Sequence, residues 1–243
     1  MRVIKFNYFR DVNREGETLP EETSIQGQTN PYQREKLVVA FETWVRRRPF
    51  TVNGKEYERF FALIPLRSEA SDILNAMFDS LEKKELSDIR VVDGNRIFVI
   101  PNEPIHTERT KKDGRRSLRF TIPAEVGRQI VDKNVFVYAY VGEGDGSIKR
   151  VDSRVYDAVA VFVALIRLNG SVMATVPVRY SNVIPIGKEL EVDVIDKNKI
   201  KTMKVLTYKN GSYRGVPIVA LRFNKEEAVE FVDKRVFLVV KVI

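Results

Sequence analysis

The chain of 243 residues contains no cysteine, which excludes structural disulfides, thiolate zinc sites and cysteine nucleophiles. Histidine occurs once, at His106, and no accompanying motif suggests a Ser-His-Asp arrangement or a histidine metal site. The stretch GEGDG at 142–146 lacks the Gly-Lys-Ser/Thr ending of a phosphate-binding loop. We therefore expect a protein that is not an enzyme, with no catalytic residues, no metal and no cofactor.

Long apolar runs are also missing. No stretch of about 18 apolar residues occurs, so no membrane-spanning helix is expected. The first residues lack the apolar core of a signal peptide. We expect no membrane partner and a cytoplasmic location, associated with the nucleoid if the protein binds DNA.

Positive charge is present in excess. Lys and Arg total 41 and Asp and Glu total 33, which gives a formal net charge of +8. Such an excess favours polyanions such as nucleic acids or, more weakly, anionic membrane surfaces. Thermophile proteins are also rich in charges of both signs, so a merely solvated surface is the alternative. With 44% apolar residues, the chain can bury a core.

The beginning of the chain differs from the rest. Residues 10–35 are polar, are interrupted by Pro20 and Pro31, and show no apolar periodicity. We interpret residues 1–35 as a flexible N-terminal arm.

Four two-residue turn signals follow, each between apolar runs: Asn53-Gly54, Asp113-Gly114, Asn169-Gly170 and Asn210-Gly211. These dipeptides tolerate the positive φ angles of tight turns and predict four β-hairpins. A helix is predicted over 68–85, capped by Ser68 or Ser71, and shorter helical segments follow the second and fourth hairpins. A strand then closes each unit, RIFVI at 96–100 being the first.

Two detailed matches indicate that the chain repeats itself. The triplet LRF followed by a VDK-x-VF core occurs in 118–141 and again in 221–242. The pattern A-x-[apolar]-P-[apolar]-R occurs in 62–67 and 174–179. Because the matches alternate in the same order, they predict an internal duplication. The predicted organisation is a first domain over 36–142, a linker over 143–151 and a second domain over 152–243.

The stretch GRRSLRFTIPAEVGRQIVDKNVFVYAYV resembles the AbrB, SpoVT and MazE swapped-hairpin family, through Gly114, Arg115, Pro123, Glu125 and Arg128. The stretch from Gly170 to the closing GKELEV resembles it too, without the helix and the glutamate. In that family, two hairpin–helix–strand units interlock into a closed barrel, and many members bind DNA through basic residues. The resemblance implies a mainly β fold with short helices, built as two tandem swapped-hairpin or cradle-loop barrels.

Basic segments at the predicted hairpins are the candidate binding elements. RTKKDGRRSLR at 109–119 carries six cations around one acid, and a basic ribbon tip can enter a groove or lie across phosphates. WVRRRPF precedes the first turn, and YKNGSYRG adds tyrosines that could stack on bases. Solvated turns are the alternative. The candidate nucleic-acid-binding residues are Arg46, Arg47, Arg48, Arg109, Lys111, Lys112, Arg115, Arg116, Arg119, Arg128, Arg179, Lys209 and Arg214.

These observations predict a non-enzymatic protein that binds double-stranded DNA, as a transcription regulator or a chromatin-like protein. Phosphate contacts at the basic hairpin tips would dominate its affinity. The alternative is a protein-interaction or structural assembly module, with a homo-oligomer or another protein as partner. Basic tips at 46–48 and 109–119 on one side would favour DNA binding. Diverging tips with an exposed apolar patch would favour assembly.

Overall fold

Residues 36–144 and 146–243 are described by a computed structural model. The arm predicted over 1–35 lies outside the described residues. The prediction of a mainly β protein is confirmed, because the described residues form fourteen strands and three short α-helices. The strands of the first half are β1 (Leu37–Val52), β2 (Lys55–Leu63), β3 (Glu85–Asp93), β4 (Arg96–Thr110), β5 (Arg116–Ile122), β6 (Asn134–Val141) and β7 (Asp152–Val155).

The strands of the second half are β8 (Ala158–Leu165), β9 (Arg167–Asn169), β10 (Ser171–Thr175), β11 (Glu189–Asp196), β12 (Lys199–Tyr213), β13 (Val216–Phe223) and β14 (Arg235–Val242). The helices are α1 (Glu69–Met77), α2 (Ala124–Ile130) and α3 (Lys225–Ala228), and 3-10 turns cover Val178–Tyr180 and Val229–Phe231.

Helix α1 is shorter than the helix predicted over 68–85. Its predicted cap is confirmed, since the Ser68 hydroxyl accepts a hydrogen bond from the Ser71 N–H at 3.1 Å. The helix ends at Met77, whose carbonyl accepts hydrogen bonds from both the N–H and the hydroxyl of Ser80. A turn at this point replaces the last two turns of the predicted helix.

Strand β3 is absent from the sequence prediction, and it closes the first unit in place of RIFVI, which begins β4 instead. Asp88 and Arg90 interrupt the apolar pattern of β3, which is why the segment resembles a loop in the sequence. The sheet nevertheless buries most of the strand. Asp88 occupies an irregularity in the pairing with β6, between Ser87 and Arg90, and its φ is 50°.

Three predicted hairpin turns lie where expected, and the fourth is misplaced. β12 continues through Asn210-Gly211, and the chain turns at Arg214-Gly215, where φ is 49° and 79°. The pairing of β12 with β13 shifts register between Lys209 and Ser212. A bulge uses the same positive-φ freedom as a turn, so the Asn-Gly dipeptide marks a bulge here.

The first sheet contains a closed circuit of antiparallel pairings. Its order around the circuit is β1-β2-β5-β4-β3-β6, and β6 pairs again with β1. The long strand β1 pairs with β6 over Leu37–Trp44 and with β2 over Val45–Val52, so it joins two sides of the circuit. One apolar core, which includes Phe41, Phe60 and Phe120, fills the interior.

The second sheet has the order β8-β14-β11-β12-β13-β10-β9. Only Ile166 separates β8 from β9, and these two strands together take the place of β1. The other strands correspond one to one: β10 to β2, β11 to β3, β12 to β4, β13 to β5 and β14 to β6. With this correspondence, the second sheet has the same strand order as the circuit of the first. The 3-10 turn at Val178–Tyr180 stands in place of α1. The two halves therefore share one strand order, and the second has its own core.

Strand β7 connects the halves in a way that the sequence prediction does not include. Residues 152–155 pair with Arg96–Val99 of β4, so they extend the first sheet although they follow the predicted linker over 143–151. The second sheet begins at Ala158. The connection between the two halves thus includes an edge strand of the first sheet.

A buried polar cluster lies where the two sheets meet. The hydroxyls of Tyr138 and Thr202 donate hydrogen bonds to Asp193, and the Lys241 ammonium lies 2.8 Å from Asp193 and 2.6 Å from Glu191. Burial acts to raise the pKa of Asp193, but Lys241 and the two hydroxyls outweigh it and the pKa is lowered. Burial, with the Asp193 charge, raises the pKa of Tyr138. A charged carboxylate and a neutral phenol thus join β6 to β11.

Candidate nucleic-acid interface

The part of β1 and β2 that extends beyond the core is a two-stranded ribbon, residues 46–59, here called the β1–β2 ribbon. β2 pairs with β5 only over Phe60–Leu63, and β1 pairs with β6 only up to Trp44. Every residue from 46 to 59 is exposed. The apolar alternation of β1 ends at Val45, so nothing in the ribbon sequence directs one face into a core.

The two faces of the β1–β2 ribbon differ in charge. Side chains alternate between faces along a strand, and cross-strand partners share a face. The pairs Arg48 with Arg59, Phe50 with Tyr57 and Val52 with Lys55 therefore occupy one face, together with Arg46. That face, called the basic face, holds four cations and no acid: Arg46, Arg48, Lys55 and Arg59.

The opposite face of the ribbon carries both of its acids. Pro49 pairs with Glu58 and Thr51 with Glu56, and Arg47 lies on the same face. The Arg47 guanidinium is 3.1 Å from the Glu58 carboxylate. Arg47, a candidate from the sequence, therefore belongs to a surface ion pair and points away from Arg46 and Arg48.

A shallow pocket of about 380 Å³ lies at the base of the basic face, lined by Arg48, Pro49, Phe50, Arg59 and Arg119. Arg119 reaches it from β5, where it pairs with Leu63 of β2. Three guanidinium groups thus face one open site. Guanidinium groups bind phosphate oxygens in bidentate fashion and remain charged at any physiological pH.

Aromatic rings support the arginines of this pocket. The guanidinium carbon of Arg59 is 5.2 Å from the ring centre of Phe50, and that of Arg119 is 5.4 Å from the ring centre of Phe61. Phe50 in turn stacks on Tyr57 with ring centres 5.6 Å apart. These cation–π contacts help to position the guanidinium groups at the pocket.

The basic turn at 109–119 is already half neutralised within the molecule. Arg115 lies 3.2 Å from Asp72, and Arg116 lies 2.6 Å from Asp79 of the turn that follows α1. The Asn75 side chain also bonds the Arg116 backbone. Arg115 and Arg116 therefore hold the β4–β5 turn against the α1 region.

Arg119 is partly paired with an acid and partly accessible at the pocket. Its Nε is buried, lies 2.8 Å from the Glu108 carboxylate and makes no hydrogen bond. The rest of its guanidinium borders the pocket. Glu108 thus partly offsets the positive charge of Arg119 where its guanidinium borders the pocket.

The remaining candidates of the turn are Arg109, Lys111 and Lys112. Among the described residues none of these three makes a salt bridge. Arg109 and Lys112 are exposed, and Lys111 is half-buried. They form a second, smaller cationic group at the tip of the β4–β5 hairpin.

The two basic tips lie at opposite ends of the first sheet. β2 and β5 each begin at their own hairpin turn, and they are antiparallel, with Phe60 opposite Ile122 and Leu63 opposite Arg119. The first residues of β2 and β5, Lys55 and Arg116, are therefore roughly 35 Å apart along the strands, at a rise of about 3.3 Å per residue, and the turns themselves are farther apart. The tips diverge, and Phe50 and Tyr57 remain exposed beside the first of them.

The other candidates are dispersed. Arg128 is exposed in α2, and Arg179 is exposed in the 3-10 turn and lies over Tyr180. Lys209 and Arg214 are exposed on the β12–β13 hairpin, with the Arg214 guanidinium 5.3 Å from the ring centre of Tyr213. The structure does not bring these four residues to the basic face of the β1–β2 ribbon.

Arg59, Lys55 and the supporting rings are absent from the sequence prediction. The position of Arg59 could have been predicted from the Asn53-Gly54 turn, because a two-residue loop sets the register that pairs Arg59 with Arg48. The position of Arg119 depends on the pairing of β2 with β5, which are far apart in the chain. No local pattern indicates that pairing.

Other kinds of site find no support in the part of the chain that the structure describes. No group of three or more His, Asp or Glu side chains within it could hold a metal ion. None of its helices is both long and apolar enough to cross a membrane. Comparison with protein-family models, characterised proteins and solved structures finds no match to this chain.

Proposed function

We propose that the protein binds double-stranded DNA without acting as an enzyme, and that the basic face of the β1–β2 ribbon is its main contact surface. The observation that carries the proposal is the segregation of charge on this ribbon. Arg46, Arg48, Lys55 and Arg59 share one face, and both acids lie on the other. A solvated ribbon has no need of this separation, whereas a ribbon that approaches a polyanion on one side does.

The dimensions and chemistry of the ribbon suit a duplex. A two-stranded ribbon fits the major groove, which is about 12 Å wide. Its arginines can bind phosphates, and the Arg48, Arg59 and Arg119 pocket can hold one phosphate between three guanidinium groups. Phosphate contacts give affinity with little sequence preference, as expected of a chromatin-like protein or a regulator that recognises DNA shape.

The proposed architecture is a pair of tandem swapped-hairpin barrels of the AbrB-like, cradle-loop kind. Its support is the common strand order of the two halves and the closed circuit of the first. Each half would consist of two hairpin–helix–strand units, in agreement with the repeated LRF and VDK-x-VF motifs. A barrel of this kind provides the rigid base from which the β1–β2 ribbon projects.

Salt dependence of binding tests this function directly. We expect the affinity for a short duplex to fall steeply with salt, and the triple variant Arg46→Ala/Arg48→Ala/Arg59→Ala to reduce the slope of log affinity against log salt by about 2.7. Each neutralised phosphate contributes about 0.9 to that slope.

The matched control is Arg167→Ala/Lys188→Ala/Arg235→Ala, three exposed cations on other strands and loops that make no salt bridge among the described residues. It changes the net charge equally and should leave the slope nearly unchanged. Equal slopes for the two triple variants would refute the proposed surface.

The structure meets the criterion stated from the sequence for assembly, diverging basic tips with exposed apolar side chains, and this supports assembly as a second candidate function. Tyr57 is 46% exposed, stacks on Phe50 and shares a face with the exposed Val52, and Trp44 is 49% exposed six residues before Phe50 on β1. Together with the divergence of the two basic tips, this aromatic patch could bind another protein or another copy of the chain. Sedimentation of Trp44→Ser/Tyr57→Ser tests this candidate, because loss of an oligomer present in the wild type would support it.

A further inference from the structure

We propose that the cleft between the two sheets binds a small molecule that carries a phosphate or diphosphate group. The cleft has a volume of about 460 Å³ and shares no lining residue with the pocket at the β1–β2 ribbon. It is bordered by β3, β4 and β7 on one side and by β11, β12 and β14 on the other. Between them the connecting loop contributes residues 147–150.

The connecting loop is held in place over the cleft. The Asp88 carboxylate accepts hydrogen bonds from the N–H groups of Gly146 and Ile148, both at 3.2 Å. A Cβ on Gly144 would lie 2.0 Å from Asp88, so only glycine allows this approach. The Ser87 hydroxyl donates a hydrogen bond to the Gly142 carbonyl. Asp88, which interrupts the pattern of β3, therefore has a role in positioning Lys149 and Arg150.

The cleft carries a net positive charge. Among the described residues, five cations and three carboxylates line it, a net charge of +2. Lys241 is bonded to Asp193 and Glu191, so the other lining charges are the Asp152 carboxylate and four cations: Arg90, Lys149, Arg150 and Arg154. Within residues 36–144 and 146–243, none of these four cations makes a salt bridge. An anion in the cleft would reduce the repulsion among cations that outnumber the nearby carboxylates.

Different parts of the chain bring these four cations together. Arg90 is on β3, and its guanidinium carbon lies 5.7 Å from the ring centre of Tyr138. Arg154 is on β7, opposite Ile97 of β4. Lys149 and Arg150 come from the loop pinned by Asp88. Convergence from three segments is unlike the local charge runs that remain solvated on a surface.

The shape and lining of the cleft favour a small ligand. Its volume is within the range of small-molecule sites, about 300 to 1,000 Å³. Ile97, Val99 and Tyr156 provide an apolar wall, and Thr202 provides a hydroxyl at the floor. Arginine and lysine groups bind phosphate oxygens. A phosphate ester with an apolar or flat portion would satisfy both the cations and the wall.

Calorimetric titration of the full chain with inorganic pyrophosphate, and separately with ADP, tests this site. We expect both to bind and the variant Arg150→Gln/Arg154→Gln to raise both dissociation constants at least tenfold. The control Arg167→Gln/Arg235→Gln removes two exposed cations elsewhere and should leave them unchanged. Thermal unfolding without ligand checks that both variants remain folded.

Three results would overturn the proposal. The first is no binding of either probe at millimolar concentration. The second is an equal loss of affinity in the two double variants, or equal displacement by sulfate at matched ionic strength, since either indicates general anion binding. The third is displacement of pyrophosphate by saturating duplex DNA, because the cleft would then belong to the DNA surface. Retained pyrophosphate binding in the presence of duplex would support a separate site.

Discussion

The two arginine-rich segments of the first half look alike in the sequence and differ in the structure. Residues 46–48 lie on a ribbon without a third strand or a helix beside them, and Arg46 and Arg48 make no salt bridge among the described residues. In 109–119, by contrast, Arg115 and Arg116 are bound to carboxylates of the α1 region. The density of cations in a sequence therefore overstates the charge that is available to a partner.

The cause of this difference is tertiary packing. Helix α1 and the turn after it bring Asp72 and Asp79 to the β4–β5 hairpin, whereas no described residue plays that part for the β1–β2 ribbon. The acids that could neutralise the ribbon, Glu56 and Glu58, are placed on the opposite face by strand alternation. Three of the expected effects distinguish paired from unpaired cations, and one concerns a carboxylate without a nearby cation among the described residues.

The largest expected effect concerns DNA affinity. Replacing Lys111, Lys112, Arg115 and Arg116 with alanine should flatten the salt slope by at most about 1.8, since only the two lysines are free to contact phosphates, at about 0.9 each, and their tip lies at the other end of the sheet from the β1–β2 ribbon. Four free cations would give about 3.6. Filter binding across a salt series measures the slope. A value near 3.6 would mean that Arg115 and Arg116 exchange their intramolecular partners for DNA.

The second effect concerns stability, and here the paired arginines of 109–119 should matter more than the unpaired ones of 46–48. Arg116→Ala should lower the free energy of unfolding by about 1 kcal/mol, because Arg116 lies over Phe78 at 4.9 Å and beside Asp79, and both contacts are partly hydrated. Arg48→Ala should change it by less than about 0.5 kcal/mol, as usual for exposed residues. Urea unfolding measures both values, and equal values would contradict the comparison.

A carboxylate without a cation provides the third prediction. Burial raises the pKa of Glu103 on β4 to about 7. Between about pH 4.3, the usual value for glutamate, and pH 7, the folded protein retains a proton that the unfolded chain has lost. Stability attributable to Glu103 therefore falls as the pH rises through this range and is constant above it.

Glu103→Gln should remove this dependence and make the protein more stable above pH 7 by about 1 kcal/mol, less than the full shift because the side chain is partly hydrated. At pH 4 the two proteins should be equally stable. Urea unfolding at pH 4 and pH 8 measures the difference. A variant that differs from wild type by the same amount at both pH values would refute the raised pKa.

Sequence reasoning recovered the β class, most turns and the cap at Ser68, because these depend on residues close together in the chain. It did not recover β3, since burial between β4 and β6 overrides the local effect of Asp88 and Arg90. The ion pairs of Arg115 and Arg116 could not be predicted either, because they depend on where α1 packs. The basic face could have been predicted in part, because the register set by the Asn53-Gly54 turn determines which side chains share it.

The smallest expected effect is a gain in affinity for duplex DNA. Arg119 borders the pocket of Arg48 and Arg59, and Glu108 lies 2.8 Å from its Nε. Glu108→Gln keeps the size of the side chain and removes its charge, so Arg119 becomes available to a phosphate. We expect about threefold tighter duplex binding and a slope increased by at most about 0.9. Glu58→Gln, which releases Arg47 on the opposite face of the ribbon, is the matched control and should increase the slope less. If both variants gain equally, the affinity depends on the net charge of the ribbon and not on which face carries it.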